Sequence, residues 1–239
     1  MRIELTQNNQ NMKIKIPDSS REIRLDLMQQ LGTTPEKEQA KVFFDHLKID
    51  ASKFSEIDQR AVLSTFYRLV EAEDIGNPPE QINYNRKTYY APKDLLDMPV
   101  KFLVELVNVD LDHENFAFYY AIPALLYRKD WSKDFSKDEY LEGQQLFHTA
   151  PFIFSLWAVK LFNELIVTLQ DNYPVLYKGE SEDDSTSTDG RKMYGLLKIL
   201  ANRDATKMAA AEKMEIWRAF TWVEQEKIDQ INLKNAQSN

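Results

Sequence analysis

The stretch Thr149–Gln170, TAPFIFSLWAVKLFNELIVTLQ, decides the fold. Phe154, Trp157, Leu161 and Leu165 recur at three- and four-residue spacing, one stripe of a helical period. Phe152, Ile153, Val159, Phe162 and Ile166 cover much of the remaining circumference. A helix apolar nearly all round belongs inside a core, so the rest of the chain is expected to pack around this one. Pro151 suits its first turn. Lys160, Asn163 and Glu164 interrupt the apolar run, which reads as a buried helix rather than a membrane span.

Towards the N-terminus the period changes to two. Ile3 and Leu5, then Met12, Ile14 and Ile16, flank the polar run Gln7–Asn11, a candidate hairpin ended by Pro17. Helices are predicted over Arg21–Leu31, stopped by Gly32, and from Thr34-Pro35, with Ala40, Phe43, Phe44 and Leu47 on one face. A third starts at the capping box Ser55–Asp58 and buries Val62, Leu63, Phe66, Leu69 and Val70, ending before Gly76. After the break Asn77-Pro78-Pro79, Ile82–Tyr84 and Lys87–Tyr90 flank Asn85-Arg86. Asparagine tolerates the left-handed region, so a tight hairpin is predicted, paired with the N-terminal strands in one small antiparallel sheet.

Met98-Pro99 opens a helix to about Val107. Across Leu111–Arg128, Phe116, Tyr119 and Tyr120 read as helical, with Pro123 breaking or kinking the middle. Asp130–Leu141 reads as a loop pinned by Trp131, Phe135 and Tyr140. Gly179–Gly190 (GESEDDSTSTDG) is acidic and of low complexity, unable to bury enough apolar surface to order itself. Met193, Leu196, Leu197 and Leu200 mark a further helix, and a longer one runs from about Thr206 to the tail. No internal repeat stands out. The expected class is α+β, predominantly α-helical, with a small antiparallel sheet in the N-terminal half. The expected organisation is a main unit over 1–178, an acidic flexible loop over 179–190, and C-terminal helices over 191–239 packing on that unit or on a partner.

The composition is poor in catalytic equipment. There is no Cys, only three His (His46, His113, His148), and six Gly where average usage gives roughly 17. Phosphate cradles and nucleophile elbows lean on glycine for close backbone approach. The net charge of −8 disfavours nucleic acid and anionic membranes as partners. Asp110, Asp112, His113 and Glu114 cluster without calcium-loop spacing, and Glu182, Asp183 and Asp184 sit in the acidic loop. Both groups read as solvated segments, so no metal, cofactor or catalytic residue is expected and the chain is not expected to be an enzyme; a carboxylate-based metal enzyme is the alternative these clusters leave open. His148 reads as a histidine at a helix start with no catalytic duty. Tyr127-Arg128 is placed to anchor a salt bridge to Asp130 or Glu142. The aromatic–basic hairpin of Tyr84, Arg86, Lys87, Tyr89 and Tyr90 reads as core or interface rather than a nucleic-acid platform, given the acidic balance. Trp217, Phe220 and Trp222 do not share one narrow stripe. These three, with Tyr89 and Tyr90, are the candidate partner-binding residues.

The order of segments resembles a known family. It runs MKIKIP (Met12–Pro17), AKVFFDHLKID (Ala40–Asp50), INYNRKTYYAP (Ile82–Pro92), LLDMPVKFLVEL (Leu95–Leu106), AIPALLYRKDW (Ala121–Trp131), YLEGQQLF (Tyr140–Phe147), APFIFSLWAVKLFNEL (Ala150–Leu165) and IWRAFTWVEQEKID (Ile216–Asp229). This is similar to small helical morphogenesis proteins of tailed bacteriophages, many of them like tail assembly chaperones or minor virion structural proteins. These are packing motifs, so the resemblance transfers no active site. It implies an acidic helical protein that shields apolar segments of a tail protein, in the host cytoplasm or in the virion, with other phage proteins or a second copy as partners.

Overall fold

Two antiparallel hairpins each lead into a helix through the same few steps. The structure, a computed structural model, describes residues 2–7, 10–17, 19–110, 117–177 and 204–237, with the side chains of 2–13, 110, 205 and 237 left aside. The acidic cluster around His113, the loop 179–190 and the predicted helix over Met193–Leu200 lie outside the described residues. Strand β1 (Arg2–Gln7) pairs with β2 (Gln10–Lys15), and β3 (Gln81–Tyr84) with β4 (Lys87–Tyr90). Asn85 and Arg86 both take positive φ, 49° and 61°, as the two-residue turn of a hairpin requires. The helices are α1 (Leu25–Thr33), α2 (Glu36–His46), α3 (Glu56–Glu71), α4 (Val100–Asp110), α5 (Phe118–Leu126), α6 (Lys137–His148), α7 (Phe152–Asn172), α8 (Pro174–Tyr177), α9 (Met208–Glu212) and α10 (Ile216–Gln237).

The chain is internally duplicated, contrary to the reading of the sequence. Pro17 and Pro92 each stand two residues past a hairpin, and Lys15 to Leu25 and Tyr90 to Val100 are equal paths to a helix. Counted from those prolines, Ile14, Ile23, Leu25, Leu27 and Leu31 correspond to Tyr89, Met98, Val100, Phe102 and Leu106, and all ten are buried. A second marker recurs before the next helix. In Asp50-Ala51-Ser52-Lys53, the Asp50 carboxylate accepts from the Ser52 N–H at 3.1 Å and its hydroxyl at 2.6 Å. In Asp130-Trp131-Ser132-Lys133 the same two bonds measure 2.9 and 2.7 Å. In Asp204-Ala205-Thr206-Lys207 they are again 2.9 and 2.7 Å. The hydroxyl bond, then the amide bond, hold all three carboxyls below the usual carboxylate range.

After the first two turns come matching caps. The Ser55 side chain accepts from the Asp58 N–H to open α3, and Ser136 accepts from Glu139 to open α6. Phe66 and Phe147, in equivalent places on those helices, are both buried. The Ser136 cap corrects the loop expected over Asp130–Leu141, since α6 begins at Lys137.

Each unit is then closed by a later helix. Arg24 bridges Pro151, and Pro99 bridges Glu215. Across the first bridge the Leu25 N–H donates to Ala150 at 2.9 Å and Phe152 to Ile23 at 2.7 Å. Across the second, Val100 donates to Met214 at 2.8 Å and Ile216 to Met98 at 2.9 Å. These bonds occupy amide donors that the first turn of a helix leaves open, and so replace side-chain caps at the starts of α1 and α7. The turn before Glu215 also splits the single C-terminal helix expected from Thr206 into α9 and α10.

Two hydrophobic cores result. One gathers Ile14, Ile16, α1–α3 and Phe152, and the other gathers Ile82, Tyr89, α4–α6, most of α7 and Ile216. Each hairpin therefore covers its own core, which is why the expected single sheet is two separate pairs. Among the described helices α7 is long and apolar enough to cross a membrane, and its Phe152, Ile153, Ala158, Phe162, Leu165 and Leu169 are buried within the protein. Pro123 sits inside α5 without ending it.

The duplication also shows where the copies differ. Phe44 and Val62 of the first unit correspond to Ala124 and Gly143 of the second, a smaller pair that lets α5 and α6 approach closely. A Cβ at Gly143 would stand 3.0 Å from the Ala124 Cβ. Gly143→Val is expected to destabilise the protein by about 2 kcal/mol, and Ala124→Gly in the same chain to restore part of that. Urea midpoints of the single and double variants check it, and a loss that ignores Ala124 would point to strain elsewhere.

Candidate interaction surface

Helix α10 places three of the candidate partner residues. Ile216, Ala219 and Phe220 fall on its core stripe and are buried. The Tyr173 ring packs on Phe220 at 5.3 Å, and the Tyr173 hydroxyl donates to the Trp217 carbonyl at 2.9 Å. Phe220 is therefore a core residue, four positions after Ile216 on one face, and not surface available to a partner. Trp217 and Trp222 lie off that stripe, about 140° apart, and are 40% and 53% exposed. The Arg218 guanidinium lies 5.4 Å from the Trp217 ring centre. Counting from the two bridges, Trp217 and Trp222 occupy the places that Ile153 and Ala158 hold on α7, where exposure is 1% and 0%. Further along α10, Ile231 and Leu233 are also exposed.

The second hairpin separates the remaining pair by strand alternation. Tyr89 stands opposite Ile82 on the inner face, buried against Phe147 at 5.6 Å, and so is core rather than interface. Burial raises its phenol pKa, and Tyr84 adds to the effect. Tyr90 faces outward and is exposed. Its backbone joins Arg128 in a short bridge, with the Tyr90 N–H donating at 2.7 Å and the Arg128 N–H returning at 3.0 Å. The Trp131 indole N–H also donates to the Tyr90 carbonyl, at 2.8 Å.

Arg128 is 5% exposed. Its guanidinium donates to the carbonyls of Lys133 at 3.0 Å and Asp134 at 3.2 Å, and to the Glu139 carboxylate at 3.0 Å. It lies 4.8 Å from the Phe102 ring centre and 5.4 Å from that of Trp131. The ion pair goes to Glu139, not to Asp130 or Glu142, because Asp130 is committed to Ser132 and the start of α6 turns Glu139 inward. Over this arrangement runs an open groove of about 850 Å³ between the outer face of the hairpin, the segment Ala91–Pro99 and the turn Lys129–Ser132. The same segment holds the backbone of Trp217, whose amide N–H donates to the Leu96 carbonyl at 3.1 Å.

His148, Glu73 and several tyrosines are held within the fold. His148 ends α6, its Nε2 2.6 Å from Gln29 Oε1 and its ring edge-on to Tyr120. Burial pushes Tyr140 up to about 12 and raises Tyr67 and Tyr127 as well, so all three stay protonated at neutral pH. Burial acts to raise Glu73, but bonds from Ser20 and Ser19 and the Arg21 charge outweigh it and leave the carboxyl lowered. Among the described residues no three His, Asp or Glu side chains are grouped to hold a metal ion. Comparison with known protein families, with curated proteins and with solved structures finds no match.

Proposed function

We propose that this chain is a non-catalytic assembly protein that holds a partner protein on the exposed tryptophan faces of α10. What supports the reading is the pair Trp217 and Trp222. The fold places buried small or aliphatic residues at the equivalent sites of α7, whereas the α10 indoles stand 40% and 53% exposed. Tryptophan is enriched among residues that dominate binding energy, and Ile231 and Leu233 extend apolar surface along the same helix. In the setting implied by the sequence resemblance, the partner is a phage tail protein and the chain acts as a tail assembly chaperone or adaptor in the host cytoplasm. Amphipathic client helices would lie against α10 until the tube takes them over. The second reading is a permanent virion subunit using the same helix.

The test compares purified particles with infected-cell lysate and uses a tagged chain to recover partners. A tail protein recovered from lysate with the chain absent from particles supports the chaperone. A fixed copy number in particles supports the subunit. Trp217→Ser with Trp222→Ser is expected to weaken partner recovery about 30-fold while leaving the thermal midpoint within about 2 °C. Undiminished recovery would remove α10 from the interface.

A further inference from the structure

The first unit shows what the shared architecture requires, and the groove on the second unit departs from it. Both units have the hairpin, the proline two residues beyond it, the helix-start bridge and the aspartate turn. At the position of Tyr90 the first unit has Lys15, and at the position of Trp131 it has Ala51. The exposed Tyr90 ring is therefore not needed to build the unit, while Trp131 packs on Phe102 at 5.2 Å and leaves part of its indole exposed. In the second unit both residues line one groove, and the Trp131 indole N–H is fixed on the Tyr90 backbone carbonyl. Between them and the segment Ala91–Pro99 runs the groove of about 850 Å³.

The charges around the groove are unequal. Glu80, Asp94, Asp97 and Asp130 line it against Lys93 and Lys129. Asp94 accepts from the Leu96 N–H and Asp130 from Ser132, while Glu80 and Asp97 hold no ion pair among the described residues. The protein already stacks a cation on this aromatic cluster from within, since the Arg128 guanidinium lies against both Phe102 and Trp131. A second cation arriving from solvent would find an exposed tyrosine ring, a partly exposed indole and two carboxylates that no described residue pairs with.

We infer that this groove binds an extended basic peptide, with a Lys or Arg side chain seated on the Tyr90 and Trp131 rings and its charge directed to Asp97 and Glu80. The aromatic faces attract the cation through their quadrupole, and the carboxylates give the site its sign. The site is distinct from the α10 tryptophans and stands independently of the assembly reading.

Fluorescence anisotropy on the full chain tests it, using a labelled Gly-Arg-Lys-Pro-Arg-Lys-Pro-Arg-Gly peptide and a counterpart with Glu at every basic position. Only the basic peptide is expected to bind, shifting the amide resonances of Tyr90, Lys93 and Ser132. Tyr90→Ser leaves the net charge unchanged and removes an exposed side chain, so the fold persists. It is expected to weaken binding about fivefold. Asp97→Lys should weaken it about tenfold or more, and Trp222→Ser not at all. Equal affinity for the wild-type chain and Tyr90→Ser would reduce the effect to diffuse attraction by a chain of charge −8 and overturn the site. Absence of binding, equal binding of the acidic peptide, or loss of binding in Trp222→Ser would each overturn it too.

Discussion

Arg128→Met is expected to lower the free energy of unfolding by about 3 kcal/mol. The methionine fills a similar volume against Phe102 and Trp131, so apolar contact largely survives and the loss is electrostatic. The change leaves the carbonyls of Lys133 and Asp134 without their donor and the Glu139 carboxylate without its cation. The Glu139 side chain keeps 30% of its exposure and can take up water, which places the effect at the lower end of the range for a broken buried pair. Arg128→Lys should fall between the two, because an ammonium cannot reproduce the planar fork that reaches three acceptors. Adding Glu139→Gln to Arg128→Met should recover about 1 kcal/mol by removing the stranded charge. Urea unfolding measures all four chains. A loss below about 1 kcal/mol for Arg128→Met would mean that water reaches the guanidinium and that the pair is a surface one.

Arg128 also marks how far the sequence could be read. Both hairpins and most helices were legible because they follow period: Ala40, Phe43 and Phe44 form a buried stripe on α2, Ser55 caps α3, and Asn85-Arg86 closes a hairpin, whereas α6, polar on most of its surface, read as a loop. Long-range partners were not legible. Arg128 sits within two residues of Asp130, but the aspartate turn withdraws that carboxylate and only the fold brings Glu139 near. The duplication was written in the chain as Asp50-Ala51-Ser52-Lys53, Asp130-Trp131-Ser132-Lys133 and Asp204-Ala205-Thr206-Lys207. It was masked by an extra residue, Asp134, before Phe135-Ser136 where Phe54-Ser55 has none, and by core positions that keep burial while changing identity, such as Leu27 to Phe102. Exposure was the least legible property. Trp217 and Phe220 share a helix and an aromatic character, and only the bridge of Pro99 to Glu215 fixes which of them faces the core. The same holds for Tyr89 and Tyr90, where alternation separates inside from outside but does not say which is which.

Phe152→Ala is expected to cost about 4 kcal/mol, and to do so in one cooperative transition. Phe152 is the first residue of α7 and the only contribution of that helix to the fully buried part of the first core, where its ring meets Tyr119 at 5.6 Å. Ten residues later the same helix contributes Phe162, and then Leu165 and Leu169, to the second core. Because α7 is continuous from one core to the other, a cavity at Phe152 loosens the first unit while α7 still couples it to the second. Tyr119 and Tyr120 pack against both cores and strengthen that coupling. The tryptophans give a way to see it. Trp131, Trp217 and Trp222 lie in the second unit, whereas Trp157 of α7 has the Arg21 guanidinium 6.0 Å from its ring centre and donates to the Ile75 carbonyl, so in a Trp157→Phe background indole fluorescence reports the second unit and far-ultraviolet circular dichroism reports every helix. Coincident urea curves from the two signals in Phe152→Ala would show that the duplicated units fold as one body. Dichroism falling at lower urea than fluorescence would show that the first unit can unfold alone, and that α7 holds to the second core when its Phe152 anchor is cut. Ile216→Ala, at the equivalent place on α10, should cost about 3 kcal/mol and keep the two signals together, because both report the core that it opens.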